Sequence, residues 1–423
     1  MSRRVTTTVL SLALSLPALS NAGSAGPTPH EAYMRYSVGR LLEVQGLLAD
    51  ALVQYRLVQS MDPGRCGPAT AVARVLLALD RPEDAREAIV GARALCPDDS
   101  DVLAVHADVL LALGDDAGAE SLLAEPARAD SSPPELLAAL SEALVAQGRA
   151  EEAAALYAER CLADSLSPVL AFLHARVLIE CGRNDEAVRE LERAERLDPD
   201  NRAVTATLGR ILVNLGRPGE AVPRLERVVA QGGSEQEYAA LARAYGELGL
   251  HARAVALLRG AVESGGESPE LLAVLGVAQY EAGDAEGAVS TYERLLETDP
   301  DSVLALNFVA YTLAELGRNL EHALAYAERA AELDPDSANV RDTLGWVHYR
   351  LGHYDAARRE LEDAIRLGAT QAVVHEHLGD ALAALGLLDG ARESWRRALE
   401  AEPGRPSAAE RLQAHPETNG EAP

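Results

Sequence analysis

The 423-residue chain contains no lysine, so each of its 39 basic side chains is an arginine. Acidic residues number 66 and the formal net charge is −27, which argues against nucleic acid as a partner. Aromatic residues make up only 4% of the chain, and Val and Ile are too scattered to predict a sheet. What remains is rich in Ala and Leu and favours an all-helical protein with a solvated, acidic surface.

Recognisable catalytic motifs are also missing. The sequence has no Gly-rich phosphate loop and no nucleophile elbow. His375-Glu376-His377 lacks the four-residue spacing that would put two His side chains on one helix face, so it does not indicate a zinc site. The sequence therefore predicts a protein that is not an enzyme and has neither a cofactor nor a metal.

The first 22 residues have the composition of a secretory signal. Arg3 and Arg4 precede an apolar run over residues 9–19, and Ser20-Asn21-Ala22 offers a small-residue cleavage site. The run is about half the length of a membrane-spanning helix. We expect cleavage after Ala22, then a linker over 23–31, and an exported protein without membrane insertion. A periplasmic location is favoured, with an extracellular or signal-anchored one as alternatives.

The chain is dominated by an internal period of 34 residues. Ala recurs with this spacing, apart from one interval of 33 and one of 35, at positions 51, 85, 119, 153, 187, 221, 254, 288, 323, 357 and 391. A Gly stands five residues before nearly every one of these Ala, six before in the ninth repeat, and Asp80 is the exception. A Pro follows twelve residues after six of them.

Each of these residues has a mechanical role in a pair of antiparallel helices. Gly ends the first helix in a left-handed conformation, Ala lets the second helix approach its neighbour, and Pro stops that helix. A large apolar residue four positions after the Ala fills the core, except at Ala327. Pro126 falls inside the expected second helix of the third repeat, so we expect that helix to be short.

This pattern resembles the tetratricopeptide-repeat (TPR) family, on motifs such as Leu275-Gly276, Ala288, Tyr292 and Pro300. The resemblance covers about 32–405 and implies a right-handed superhelical solenoid of about eleven repeats. The repeats start near residues 32, 66, 100, 134, 168, 202, 235, 269, 303, 338 and 372. Residues 406–423 would form a short helical cap, near Ala408 to Gln413, and a disordered tail.

The four cysteines are interpreted from this repeat. Cys66 begins the first helix of the second repeat and Cys96 nearly ends its second helix, so an antiparallel hairpin brings them to the same end. A disulfide and a pair of free thiols are both open at this point. Cys161 and Cys181 lie at different heights on their helices and are interpreted as buried thiols.

In TPR proteins the first helix of each repeat lines the concave surface, and its ninth residue is one of the exposed positions. Three successive repeats have arginine there, at Arg176, Arg210 and Arg243, which we call the Arg ladder. Arginine can hold a carboxylate bidentately, so an acidic peptide is a plausible guest. The alternative is that these side chains pair with nearby acids such as Glu180 and Glu247 and join neighbouring repeats.

A second group on the same face, which we call the aromatic block, falls in repeats eight to ten. Its members are Tyr280, Asn307, Tyr311, Asp342, Trp346 and Tyr349. Trp and Tyr are favoured anchors in protein interfaces, and the polar members could bond a peptide backbone. Packing between repeats is the competing interpretation for any single aromatic residue.

The segments 307–314 and 342–346 resemble a TPR subtype found in bacterial envelope proteins. Some members are adaptors for a carboxyl-terminal processing protease, and others serve outer-membrane or polysaccharide-export assemblies. The resemblance implies an exported scaffold that binds a protein or peptide in its groove. The alternative is a structural component of an export complex that associates through outer faces. The lysines of the carboxylate clamp are absent, so chaperone binding is not inferred.

Overall fold

The structure is a computed structural model that describes residues 28–129, 132–265 and 268–416. The predicted signal peptide, most of the predicted linker and the end of the predicted tail lie outside these residues. Within the described ranges the fold consists of 23 α-helices and one 3₁₀ turn, with no strand. The predicted all-helical repeat fold is confirmed.

The chain divides into two units, Met1–Val204 and Thr205–Pro423, and the boundary falls in the first turn of α11. The helices of the first unit are α1 (Pro29–Val44), α2 (Leu48–Met61), α3 (Cys66–Ala78), α4 (Pro82–Leu95), α5 (Ser100–Ala112), α6 (Asp116–Leu123), α7 (Pro134–Ala146), α8 (Ala150–Ala163), α9 (Pro168–Glu180) and α10 (Asn184–Leu197). The helix that spans the boundary is α11 (Arg202–Asn214).

The second unit continues with the same alternation of first and second helices. Its members are α12 (Pro218–Ala230), α13 (Glu235–Glu247), α14 (His251–Gly265), α15 (Pro269–Glu281), α16 (Ala285–Thr298), α17 (Val303–Leu316), α18 (Leu320–Leu333), α19 (Ala338–Arg350), α20 (Tyr354–Arg366), α21 (Ala372–Ala384), α22 (Leu388–Ala401) and α23 (Pro406–Ala414). None of the described helices is both long and apolar enough to cross a membrane.

The turn inside each repeat has the left-handed residue that the Gly pattern predicts. Ten glycines at these turns have φ between 64° and 82°, from Gly46 to Gly386. Asp80, the exception in sequence, adopts the same conformation with φ 57°. In the ninth repeat the turn contains one extra residue, and Asn319 is also left-handed with φ 48°. The backbone geometry is therefore preserved where the sequence departs from Gly.

The repeated Ala is buried in every repeat. All eleven of these Ala are 2% exposed or less, and so are the residues four positions later, Ala327 included. In several repeats the first helix contributes a Gly to its contact with the second helix. A Cβ added at Gly276 would lie 2.4 Å from the Tyr292 ring, and one at Gly379 would lie 2.4 Å from Trp395. The large core residue thus fills space that the small residue leaves.

Three local features differ from a regular array. Helix α6 is only 8 residues long and gives way to a 3₁₀ turn at Pro126–Arg128, as Pro126 predicts. Helix α1 begins at Pro29, inside the predicted linker 23–31, because Thr28 caps it by accepting a hydrogen bond from the Glu31 amide. The expected C-terminal cap is a full helix, α23, that packs on α22.

Of the two alternatives for Cys66 and Cys96, the structure has the disulfide. The two Cα atoms are 6.0 Å apart, and the bridge joins the start of α3 to the end of α4. The remaining thiols differ from expectation in part, since Cys161 is buried but Cys181 is half-buried.

Candidate partner-binding surface

Within each unit several first helices of consecutive repeats pack on one another, such as α3 on α5 and α17 on α19, and Tyr280 of α15 contacts Phe308 of α17. We call this set of helices the first-helix row. The aromatic block lies on this row, on α15, α17 and α19 of the second unit. Its six residues divide into two groups that the sequence does not distinguish. The residues of one group are buried and have hydrogen-bond partners within the protein, and those of the other group are accessible.

Trp346 belongs to the buried group and is only 8% exposed. Its ring is stacked between Tyr349 and His377, with centroid separations of 4.9 and 4.0 Å. The indole Nε1 donates to Glu315 Oε1 at 2.7 Å. The hydrogen-bonding capacity of the indole is thus used within the protein, and most of its surface is covered.

Asp342 is also buried, at 7% exposure. Its Oδ1 lies 2.9 Å from Nδ1 of His377, the residue that stacks on Trp346. The contact between Asp342 and His377 orients the imidazole against the indole of Trp346. Asp342 therefore affects the surface only indirectly, through His377. The structure therefore places Asp342 and Trp346 beneath the surface that they were predicted to form.

The accessible group consists of Tyr280, Asn307, Tyr311 and Tyr349. Tyr280 is 38% exposed and meets the edge of Phe308 at a centroid distance of 5.5 Å. Asn307, Tyr311 and Tyr349 are half-buried. Among the described residues Asn307 Oδ1 has no hydrogen-bond partner, although that atom is buried. An unpaired buried acceptor is costly, and a donor from a bound chain would remove the cost.

Glu315 connects the two groups. It accepts the hydrogen bond from Trp346, and its charge also acts on the hydroxyls of Tyr280 and Tyr311. Burial is the main cause of the raised pKa of Tyr311, and the charges of Glu315 and Asp342 add to it. The carboxylate of Glu315 and the hydroxyls of Tyr280 and Tyr311 therefore lie in one neighbourhood of the aromatic block.

The Arg ladder is divided between the two units. In the second unit Arg210 Nη1 donates to Gln236 Oε1 at 2.9 Å, and Arg243 donates to Asn214 Oδ1 and lies 3.8 Å from Glu247. Both arginines thus link repeats six and seven, but through the amides of Gln236 and Asn214 rather than through the acids that the alternative interpretation named. A role for them in binding a partner stays a prediction.

Arg176 is the ladder residue of the first unit and is exposed. It lines a cavity of about 280 Å³ with two acidic residues, Glu142 and Glu180, and with Tyr157. The walls of this cavity are therefore of mixed charge rather than positive. This balance weakens the expectation that Arg176 alone selects an acidic guest.

The last repeat contains a charged cluster that sequence reasoning missed. Glu376 and Asp380 on α21 are buried, and the cap helix supplies their counter-ions. Arg411 Nη1 lies 2.6 Å from Glu376 Oε1 and Arg411 Nη2 lies 2.7 Å from Asp380 Oδ2, while Arg405 pairs with Glu376. Burial would raise the pKa of Glu376, yet hydrogen bonds and the arginine charges bring it below its ordinary value.

The residue pairs that sequence reasoning missed have similar separations along the chain. Glu315 and Trp346 are 31 residues apart, Asp342 and His377 are 35 apart, and Asp380 and Arg411 are 31 apart. These separations are close to one repeat, so the paired residues lie on adjacent elements of the row. A search for complementary polar residues at this spacing would have found all three pairs.

Comparison with known proteins agrees with this architecture. Family models described as tetratricopeptide repeat match residues 134–159, 178–245, 239–302, 275–338 and 343–406, which together are more than half of the chain. The chain is 33% identical over 86 residues to the TPR repeat-containing protein PA4667 of Pseudomonas aeruginosa and 34% identical over 94 residues to human tetratricopeptide repeat protein 7A. These matches span 20% and 22% of this chain but only 14% and 11% of the relatives.

Solved structures of other proteins also align with the chain. Yeast Tom70 aligns over 91% of this chain and 96% of its own, with 14% identity and a TM-score of 0.44. A thermophilic TPR protein of Thermus thermophilus, TTC0263, aligns over 43% of this chain and 98% of its own, with 23% identity and a TM-score of 0.38.

Proposed function

Because the chain belongs to the tetratricopeptide-repeat family, whose fold is suited to protein–protein interaction, we propose that it is an exported scaffold that binds a protein or peptide partner on the aromatic block. The observation that supports this is the unpaired acceptor of Asn307 beside the accessible rings of Tyr280 and Tyr311. The action is binding alone, and no cofactor takes part.

The buried group provides rigid support beneath the accessible rings. Trp346 of this group stacks on His377, and hydrogen bonds to Glu315 and Asp342 fix the two rings. Rigid support reduces the conformational entropy that the surface loses when a partner binds. The half-exposed rings above it can then bury a large apolar area with little rotamer loss.

Substitutions on the accessible group should weaken partner binding without unfolding the repeats. Tyr311→Ala and Asn307→Ala are each expected to raise the Kd about 10- to 100-fold, the range of interface hot spots. The partner would be captured from native extract with the full chain and identified by mass spectrometry. The Kd of its binding segment would then be measured by fluorescence anisotropy against each variant.

Tyr326→Ala is the matched control, since Tyr326 is a half-buried tyrosine on the second helix of the same repeat. It should leave the Kd within about twofold. Trp346→Ala is unsuitable, because loss of the stack would disturb folding and binding together. Equal binding by Tyr311→Ala, Asn307→Ala and wild type would reject the aromatic block as the site. It would favour a structural component that associates through outer faces.

Export is supported by the signal-like N-terminus and by the disulfide. Disulfides persist in oxidising compartments and are rare in the cytosol. Protein isolated from its native cells and denatured under non-reducing conditions should therefore show two titratable thiols, those of Cys161 and Cys181. Four thiols in that titration, with residues 1–22 still attached, would contradict export. An adaptor role for an envelope protease or assembly machine is the more specific form of this proposal.

A further inference from the structure

Three side chains able to bind a metal meet between the fourth and fifth repeats, inside the first unit. They are Cys161 on α8, His174 on α9 and Glu190 on α10, and one ligand atom of each lies within 4.8 Å of the other two. Cys161 and His174 are 6% and 9% exposed, and the Glu190 side chain is 21% exposed. The cluster is thus enclosed on the core side and reachable from solvent through Glu190.

The repeat itself shows that a His at this position is unusual. The residue in the register of His174, the seventh of the first helix, is Leu or Val in nine of the eleven repeats. The other exception is His106, and there the register of Cys161 holds Arg93 and the register of Glu190 holds Leu122. Arg93 Nη1 lies 3.5 Å from His106 Nδ1, so an arginine stands there in place of a thiol. Only the later site combines the imidazole with a thiol and a carboxylate.

The imidazole of His174 is not satisfied by its neighbours. Its Nδ1 is buried and has no hydrogen-bond partner among the described residues, and Glu190 Oε2 lies 3.9 Å from it, too far for a hydrogen bond. Arg193 Nη1 holds the same Oε2 at 2.9 Å and thereby orients the carboxylate. A buried, unpaired nitrogen near a fixed carboxylate, with a thiol in the same cluster, is an arrangement suited to a further ligand.

We propose that Cys161, His174 and Glu190 bind one Zn²⁺ ion, with water in the fourth position. Thiolate, imidazole and carboxylate are the ligand types that zinc takes in proteins, at about 2.0–2.3 Å. The three ligand atoms, which lie within 4.8 Å of one another, would approach a common centre when the ion binds. Binding releases the thiol proton of Cys161 to solvent, and the metal then joins three successive helices of two repeats.

Cobalt(II) provides the test, because it takes zinc sites and reports thiolate ligation by a charge-transfer absorption in the near ultraviolet. Titration of the tag-free full chain, with its disulfide intact, is expected to give this absorption at one equivalent of Co²⁺ and to lose it when Zn²⁺ is added. Absence of the band in the wild-type protein would overturn the proposal. This readout does not depend on any variant folding.

Variants then assign the ligands. Cys161→Ser should abolish the band and His174→Gln should weaken Co²⁺ binding by more than about tenfold. The matched controls are Cys181→Ser, which changes the other free thiol, and His106→Gln, which changes the equivalent His of the third repeat. Both controls should keep the band. A band that survives in Cys161→Ser, or is lost in Cys181→Ser, would overturn the assignment.

A separate measurement tests the link between repeats. Saturating Zn²⁺ should raise the Tm of the wild-type protein by about 5 °C and leave that of Cys161→Ser unchanged. An equal rise in both proteins would indicate zinc on the acidic surface and would contradict the proposed site.

Discussion

Replacing Cys66 and Cys96 together by Ser is expected to lower the free energy of unfolding of the first unit by about 3 to 4 kcal/mol. The bridge closes a segment of 30 residues, and in the chain-entropy model this loop length gives a stabilisation of that size. The effect arises chiefly in the unfolded chain, because the native hairpin already holds the ends of α3 and α4 together. Urea denaturation followed by circular dichroism measures the change.

Two comparisons isolate the bridge from the loss of the sulfur atoms. Cys181→Ser removes a thiol that takes part in no disulfide and should leave the midpoint nearly unchanged. Wild-type protein treated with a reductant should unfold at the midpoint of the double variant. If the double variant and the untreated wild type share one midpoint, the bridge contributes nothing to stability and the entropy argument is wrong.

Arg411→Ala is expected to destabilise the C-terminal repeats by about 3 to 5 kcal/mol. Arg411 is an ion-pair partner of both Glu376 and Asp380, and both carboxylates are buried. Removing one member of a buried ion pair leaves uncompensated charge away from water, which costs this much. Burial raises the pKa of Asp380 even though the hydrogen bond and charge of Arg411 lower it. Without Arg411 the charged form of this buried carboxylate would be still less favourable.

Tryptophan fluorescence during urea unfolding is the appropriate readout, because the two Trp of the chain lie in the last two repeats. Trp395 Nε1 donates to Asp380 Oδ1 at 3.0 Å and so reports on the cluster directly. Arg397→Ala is the control, since Arg397 pairs with Glu393 in an exposed position, and its loss should cost less than about 1 kcal/mol. Equal midpoints for the two variants would show that the buried carboxylates do not need Arg411.

Neutralising the carboxylates offers a second check. Glu376→Gln and Asp380→Asn, added to Arg411→Ala, should restore part of the lost stability, because the buried charges are then gone. Further loss in the triple variant would mean that shape, rather than charge, determines the cost. The cap helix would then act by covering the core of the last repeat.

The fold was predictable because its determinants are local and repeated. The left-handed turns, the buried Ala and the large residue that follows it each depend on one position, and eleven copies make the pattern plain. Even the short helix at Pro126 follows from a single missing backbone donor. The start of α1 was less predictable, since Thr28 caps a helix before the first repeat register begins.

The sequence predicts which helix face forms the candidate surface, but not which of its side chains are exposed. The ninth-residue register places Tyr311 and Trp346 on the first-helix row, but exposure depends on what the next repeat brings. Trp346 is covered because His377 lies against it, whereas Tyr280 stays 38% exposed. Likewise, Arg210 and Arg243 of the ladder donate hydrogen bonds to side chains of an adjacent repeat, which the sequence of their own repeat does not reveal. Predicting the exposure and the partners of these side chains requires knowledge of the contacts between repeats, which the periodicity of the sequence alone does not provide.

The extensive contacts of each helix are made with the one or two helices that follow or precede it within its unit. In an array of this kind the contacts between repeats are nearly interchangeable, because almost every repeat has Ala, Gly and a large apolar residue in the same register, with Asp80 and Ala327 as exceptions. A duplication or deletion of one 34-residue segment would rejoin compatible surfaces and leave distant repeats undisturbed. The length of such a chain can therefore change in evolution by whole repeats, while a residue-level insertion must be absorbed in a turn, as at Asn319.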